Sequence, residues 1–134
     1  MTDPLTRKKK EICQKGKLAG YESIISILID QIDASDCKIS CCDTCETSSI
    51  VQYWDSSERD HIKIGFLYPR ERPIHYIWEI LHEFGHHLSG KPVKGEEKTV
   101  AREELAWEHA LIELKKHDGL VEELNDFMSY KENV

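Results

Sequence analysis

The chain has 134 residues, 32% of them charged and 40% hydrophobic, which is typical of one globular domain and argues against disorder. The net charge is −7, so a dedicated nucleic-acid-binding protein is not expected, and the basic run from Arg7 to Lys10 is interpreted as a solvated arm. No stretch is long and apolar enough for a membrane span or a secretory signal. We therefore expect a cytoplasmic protein without a membrane partner.

The N-terminal half is expected to contain one helix and two strands. Residues 1–15 are predicted to form a frayed or weakly helical arm, and residues 16–134 a single domain. Apolar residues at helical spacing predict a first helix from Leu18 to Ile32. β-branched and aromatic residues predict a strand from Ser49 to Trp54, and alternating residues predict a second from His61 to Leu67. We expect an antiparallel hairpin joined by a turn over residues 55–58.

The C-terminal half is expected to be helical. Pro73 suits the first turn of a helix, and Gly90 and Pro92 suit its end, so a helix is predicted over residues 73–89. Further helices are predicted over residues 96–117 and 120–131. Together these elements predict an α+β fold in which helices pack on a small, mainly antiparallel sheet.

Residues 82–86 have the sequence His-Glu-Phe-Gly-His and lie within the predicted 73–89 helix. Side chains four residues apart on a helix lie one above the other, so His82 and His86 can bind the same metal ion. Glu83 then projects beside them, where it can activate a water molecule on that ion. H-E-x-x-H on a helix is a zinc-peptidase motif. His87 is rotated by about 100° from His86 and is interpreted as structural or solvated.

Catalytic zinc usually takes a third protein ligand, and several acidic residues and a histidine follow the motif. The candidates are Glu96, Glu97, Glu103, Glu104, Glu108 and His109. Glu103 interrupts a stripe formed by Val100, Trp107, Ala110 and Leu114, and a carboxylate on an apolar stripe is costly unless it is paired or bound to metal. We therefore prefer Glu103 as the third ligand and keep Glu104 as the alternative.

Two motifs together resemble a known family. HEFGH is followed, seventeen residues after His86, by Glu103-x-x-Ala106-Trp107-x-His109-Ala110. This pattern is similar to that of the ImmA/IrrE group of small zinc metallopeptidases, in which H-E-x-G-H precedes E-x-x-A-N-x-F-A. The resemblance implies a zincin-like domain in which His82, His86 and Glu103 hold zinc and Glu83 is catalytic. The chain departs from the pattern at Trp107 and His109. The resemblance also implies a phage or mobile-element origin and a protein regulator as substrate.

Four cysteines lie close together in the sequence: Cys37, Cys41, Cys42 and Cys45. The Cys42-x-x-Cys45 spacing is that of a zinc knuckle, and Cys37 or Cys41 could complete a second, structural zinc site. Two other interpretations stay open. The cysteines could be ordinary free or buried thiols, or one thiolate could occupy the open position of the catalytic zinc. The odd total of five cysteines argues against a disulfide framework.

The sequence therefore predicts a zinc-dependent hydrolase of peptide bonds with a protein or peptide substrate. His109, His75 and Tyr76 are candidates for a further donor that stabilises the transition state. The strand over residues 62–67 is expected to pair with an extended substrate. The alternatives are a non-catalytic, metal-stabilised interaction module of phage or mobile-element origin, and an enzyme that hydrolyses a non-peptide amide.

Overall fold

The computed structural model describes residues 3–53, 58–93, 95–96 and 99–133 and has an α+β architecture. Over these residues the chain forms six helices and three strands. In chain order they are α1 Pro4–Gly16, α2 Glu22–Ala34, β1 Cys37–Cys42, β2 Ser49–Val51, β3 Asp60–Gly65, α3 Ile74–Leu88, α4 Val100–Leu114, α5 Asp118–Val121 and α6 Leu124–Glu132. Within the described residues, no helix is both long and apolar enough to cross a bilayer.

The sheet is mixed, with β3 between β1 and β2. β2 and β3 pair antiparallel, as predicted, but β1 pairs parallel to β3 over a longer register, from Cys37 opposite Asp60 to Cys42 opposite Gly65. The prediction of a mainly antiparallel sheet is therefore wrong. Cys37 and Ile39 both point toward the core, as alternate residues of a strand do, although the cysteine spacing in this segment is also typical of a metal site.

Two other predictions about the first half of the chain need correction. Residues 4–16 form the helix α1, whose Asp3 cap accepts from the Thr6 amide and whose Ile12 is fully buried, and not a frayed arm. The basic run on its exposed side hides this pattern in the sequence. The predicted strand end at Trp54 and most of the predicted turn, Asp55 to Ser57, lie outside the described residues.

The helices α3 and α4 cross closely, and this crossing brings the HEFGH motif next to the first turns of α4. Helix α3 matches its prediction to within one residue at each end, whereas α4 begins only after Thr99, whose hydroxyl accepts from the Arg102 amide. A Cβ atom placed at Gly85 would lie 2.9 Å from the carbonyl carbon of Ala106. Glycine at position 85 therefore lets the first turns of α4 approach the motif helix.

Gly85→Ala is expected to destabilise the protein by roughly 1–3 kcal/mol, because the added methyl group overlaps the α4 backbone. Metal affinity should fall as well, since the two helices would separate. The matched control is Gly119→Ala, where the new methyl group meets only the flexible end of the Ile24 side chain. Denaturant unfolding measures the difference. An increase in stability for Gly85→Ala, as at an ordinary helical glycine, would contradict the close crossing.

The predicted C-terminal helix is divided into α5 and α6. Phe127 of α6 is fully buried and contacts the rings of Trp78 and Trp107 edge-on. The indole Nε1 of Trp78 donates to the Asp126 carboxylate at 2.8 Å. These contacts attach α6 to the helix that contains the HEFGH motif.

Candidate metal centre

The structure brings His82, His86 and Glu103 together, and we call these three residues the triad. The Nε2 atoms of His82 and His86 lie 2.8 Å and 3.3 Å from the Glu103 Oε2 atom. One ligand atom from each of the three residues lies within 4.8 Å of the others, so a single metal ion could contact all three. The two histidines come from successive turns of α3, and Glu103 comes from the first turn of α4.

The other candidates for a third ligand lie elsewhere. Glu104 and Glu108 are exposed on α4, Glu96 precedes the helix, and His109 is partly buried outside the triad. Glu97 lies outside the described residues. Glu103 itself is partly exposed, and Val100 is 74% exposed, so the apolar stripe is not buried at the first turn of α4.

The surroundings of the two imidazoles favour metal binding. Burial lowers the pKa of both His82 and His86, so their neutral, metal-binding forms dominate at neutral pH. Burial opposes ionisation of Glu103, but the hydrogen bond from His82 and the nearby imidazoles hold the pKa of its carboxyl below the ordinary value. The Trp107 indole stacks on the His82 ring at 4.1 Å between centroids, which holds the orientation of that ligand.

Glu83 lies beside the triad without belonging to it. The residue is only 9% exposed, and burial, followed by repulsion from Glu103 and Glu79, raises the pKa of its carboxyl to about 8. The metal-free protein therefore keeps a proton on Glu83 at neutral pH. A cation held by the triad would favour the carboxylate and lower this pKa.

The triad lies where two open hollows meet, and both are lined by Thr47, Ser48, His82, Glu83 and Glu103. The first hollow, of about 720 Å³, continues along β2 and the adjoining Gln52 toward Pro92 and Gly95. The second, of about 600 Å³, continues past Arg70, Glu79, Trp107 and Tyr130. We call the two together the groove. An extended chain lying in the groove would pass the triad near its middle.

Comparisons of the chain with known protein families, with characterised proteins and with solved structures find no match. The resemblance to the ImmA/IrrE group therefore depends on the residues of the two motifs alone. The structure places these motifs on α3 and α4, where His82, His86 and Glu103 meet as candidate metal ligands.

The order of the strands contradicts the prediction that an extended substrate pairs with β3. Strand β3, which was expected to receive an extended substrate, has β1 on one side and β2 on the other. Both of its edges are therefore occupied. Strand β2 has a free edge among the described residues, and it lines the first hollow.

The three predicted transition-state donors do not line the groove. The Tyr76 hydroxyl contacts the Tyr68 carbonyl oxygen at 3.4 Å, and His75 faces Asp126, with 3.5 Å between Nε2 and Oδ2. His109 lies on α4 outside both linings. The structure instead places Tyr130 in the second hollow. Tyr130 lies three residues after the buried Phe127 on α6, and this helical spacing is the signal in the sequence that places Tyr130 near the buried face of the helix.

The cysteines do not form the predicted second metal site. Cys42 and Cys45 form a disulfide, whereas Cys37 and Cys41 are free. The free pair is separated by about 13 Å along β1, the length of four strand residues. Burial raises the pKa of both free thiols to about 12. No cysteine lines the groove, so the alternative interpretation, in which a thiolate occupies the open position of a metal at the triad, is not supported.

His87 has a structural role, which is one of the two interpretations that the sequence left open. Its Nδ1 atom lies 2.7 Å from the Asp60 carboxylate, and its Nε2 atom donates to the Ser35 carbonyl oxygen at 2.8 Å. The ring therefore connects the end of α3 to β3 and to the end of α2, on the side of the helix away from the triad.

Glu103→Ala is expected to weaken metal binding by more than about 100-fold, since even partners that only orient a ligand contribute 10- to 100-fold. Glu104→Ala is the matched control and should leave the affinity unchanged, because Glu104 is exposed and lies outside the triad. Competition with a fluorescent zinc chelator measures both variants. The opposite order would assign the ligand to Glu104.

Proposed function

We propose that the protein is a zinc-dependent metallopeptidase with a zincin-like fold that cleaves a protein regulator. The observation that supports this most directly is the convergence of His82, His86 and Glu103 beside the buried Glu83, in the middle of an open groove. The resemblance of the two motifs to the ImmA/IrrE group adds support, as does the position of the first motif on a helix.

Two imidazoles and one carboxylate are a ligand set that suits zinc in a catalytic site. Ligand atoms bound tetrahedrally at 2.0–2.1 Å are separated by about 3.3 Å. The His86 to Glu103 distance is 3.3 Å and the His82 to Glu103 distance is 2.8 Å. Small side-chain movements would therefore complete the site. The groove leaves room for a fourth, open position.

Bound zinc would supply the Lewis acid that polarises the scissile carbonyl and acidifies the attacking water. Glu83 then removes a proton from that water at its carboxylate oxygen and delivers it to the nitrogen of the leaving amine. Bound zinc would lower the raised pKa of Glu83 and favour its carboxylate, which is the form that can accept the proton. Trp107 stacks on His82 and keeps its imidazole oriented.

Substrate binding is proposed along the free edge of β2. Backbone groups on an unpaired strand edge can hydrogen-bond an extended peptide, which then follows the direction of the groove. Ile50, Val51 and Pro92 line the first hollow and supply no charge. Ser49 and Gln52 line the same hollow, so we expect the substrate residue there to be uncharged.

Two alternatives make different use of the same residues. In a metal-stabilised interaction module, a buried carboxylate beside the metal would have no task, and burying Glu83 without a partner would be costly. An enzyme acting on a small non-peptide amide would not need a groove that extends on both sides of the triad. The buried Glu83 therefore favours an enzyme, and the groove favours a peptide substrate.

The proposal is tested by metal analysis and by cleavage of an unbiased peptide library. Purified protein loaded with zinc should retain about one ion per chain. Mass spectrometry of the library should then show cleavage that a chelator abolishes and added zinc restores. Protein that retains no zinc, or zinc-loaded protein that cleaves neither the library nor any captured partner, would contradict the proposal.

A further inference from the structure

The Tyr130 hydroxyl is a donor in the groove that no motif of the sequence indicates. Tyr130 lines the second hollow together with His82, Glu83 and Glu103. Among the described residues, its hydroxyl has no hydrogen-bond partner, and its ring contacts the rings of His75 and Trp107. Burial raises the pKa of Tyr130, so the phenol remains protonated across the ordinary pH range.

The position of Tyr130 is held by the packing of α6. Three residues earlier, the buried Phe127 contacts Trp78 and Trp107 edge-on. Asp126 accepts from Trp78 and pairs with Arg72. A side chain fixed in this way can act as a preorganised donor, which need not reorient when charge develops in front of it.

Two other donors in the second hollow, the Arg70 guanidinium and the Ser48 hydroxyl, already form hydrogen bonds within the protein. The Arg70 guanidinium binds Glu79 and the carbonyl oxygens of Gly65 and Tyr68. The Ser48 hydroxyl donates to Glu79 and accepts from the Gly65 amide. This network holds the segment before β2 against α3, and it occupies the Ser48 hydroxyl and four of the five N–H groups of Arg70.

We propose that the Tyr130 hydroxyl donates a hydrogen bond to the oxyanion that forms when water attacks the scissile carbonyl. This assignment rests on the proposed peptidase function and adds the donor that His109, His75 and Tyr76 do not supply. Tyr130 keeps its proton throughout, and its effect is to stabilise the negative charge on the carbonyl oxygen. In a partly buried site such a donor contributes far more than it would in water.

The test uses Tyr130→Phe, which keeps the ring and removes the hydroxyl, and Tyr76→Phe as the matched control. The full chain is loaded with cobalt(II), whose visible absorption reports ligands at the metal. Methylphosphonate serves as a tetrahedral oxyanion probe, and imidazole as a probe that binds through nitrogen.

Tyr130→Phe should weaken methylphosphonate binding by about 10- to 100-fold, the range for a hydrogen bond to a charged group. Imidazole binding should be unchanged, which also shows that the site remains folded.

Kinetics provide the second readout. On any peptide that wild-type protein cleaves, Tyr130→Phe should lower kcat by about 10²- to 10³-fold, with little change in KM. Tyr76→Phe should behave as wild type in both assays.

The outcomes separate this assignment from the proposed function. A Tyr130→Phe protein that binds methylphosphonate as wild type does would overturn the role of Tyr130 even if peptides are cleaved. That role is also overturned if Thr47→Val, which alters another residue of the groove, loses methylphosphonate affinity while Tyr130→Phe retains it. Wild-type protein that binds no cobalt at the triad would overturn the proposed function, and the role of Tyr130 with it.

Discussion

Glu83→Gln is expected to reduce peptide cleavage by about 100-fold or more while the protein keeps its metal and its fold. Glutamine has nearly the shape of glutamate but cannot accept and return a proton. Glu83 lies beside the triad and is not one of its members, so metal affinity should hardly change. The measurements are cleavage of the peptide library by mass spectrometry and zinc content by elemental analysis.

Glu104→Gln is the matched control, since it makes the same chemical change at an exposed position one residue from a proposed ligand. It should cleave peptides as wild type does. Equal cleavage by wild type and Glu83→Gln would point to a contaminating protease and contradict the assignment of the base.

The Glu83→Gln variant also helps to find the natural substrate, because a metal-loaded but inactive protein retains what it binds. Each captured protein is then incubated with zinc-loaded wild type. Cleavage at one site would identify the regulator. Captured proteins that bind tightly and stay uncut would instead favour the non-catalytic interaction module.

His82→Ala and His86→Ala are each expected to remove the metal, reducing bound zinc from about one ion per chain to nearly none. Each change leaves only two protein ligands, and zinc sites with an open position normally have three. His109→Ala is the matched control, because His109 lies on α4 outside the triad. Elemental analysis after dialysis against a weak chelator measures all three variants. Full metal content in both His82→Ala and His86→Ala would show that the ion binds elsewhere.

Much of the candidate site could be predicted from the sequence because its geometry is local. The i, i+4 spacing of His82 and His86 places both imidazoles on one face of any helix that contains them. The bounds of α3 follow from Pro73 and Gly90, which lie just outside its two ends. Glu103 could be distinguished from Glu104 because a carboxylate within an apolar stripe needs a partner, and the two imidazoles provide one.

Only the tertiary structure decided which distant segments surround the triad. The parallel pairing of β1 with β3 depends on residues more than twenty positions apart, and this pairing leaves the free edge at β2. The close crossing at Gly85 and Ala106, and the packing of Phe127 that brings Tyr130 to the groove, are likewise contacts between separate elements. Helical and strand periodicity shows which face of an element is buried, but not which other element covers that face. The sequence by itself therefore identified His82 and His86 as candidate ligands and favoured Glu103 as the third. Tertiary packing decided which segments form the groove and brought the Tyr130 hydroxyl to it.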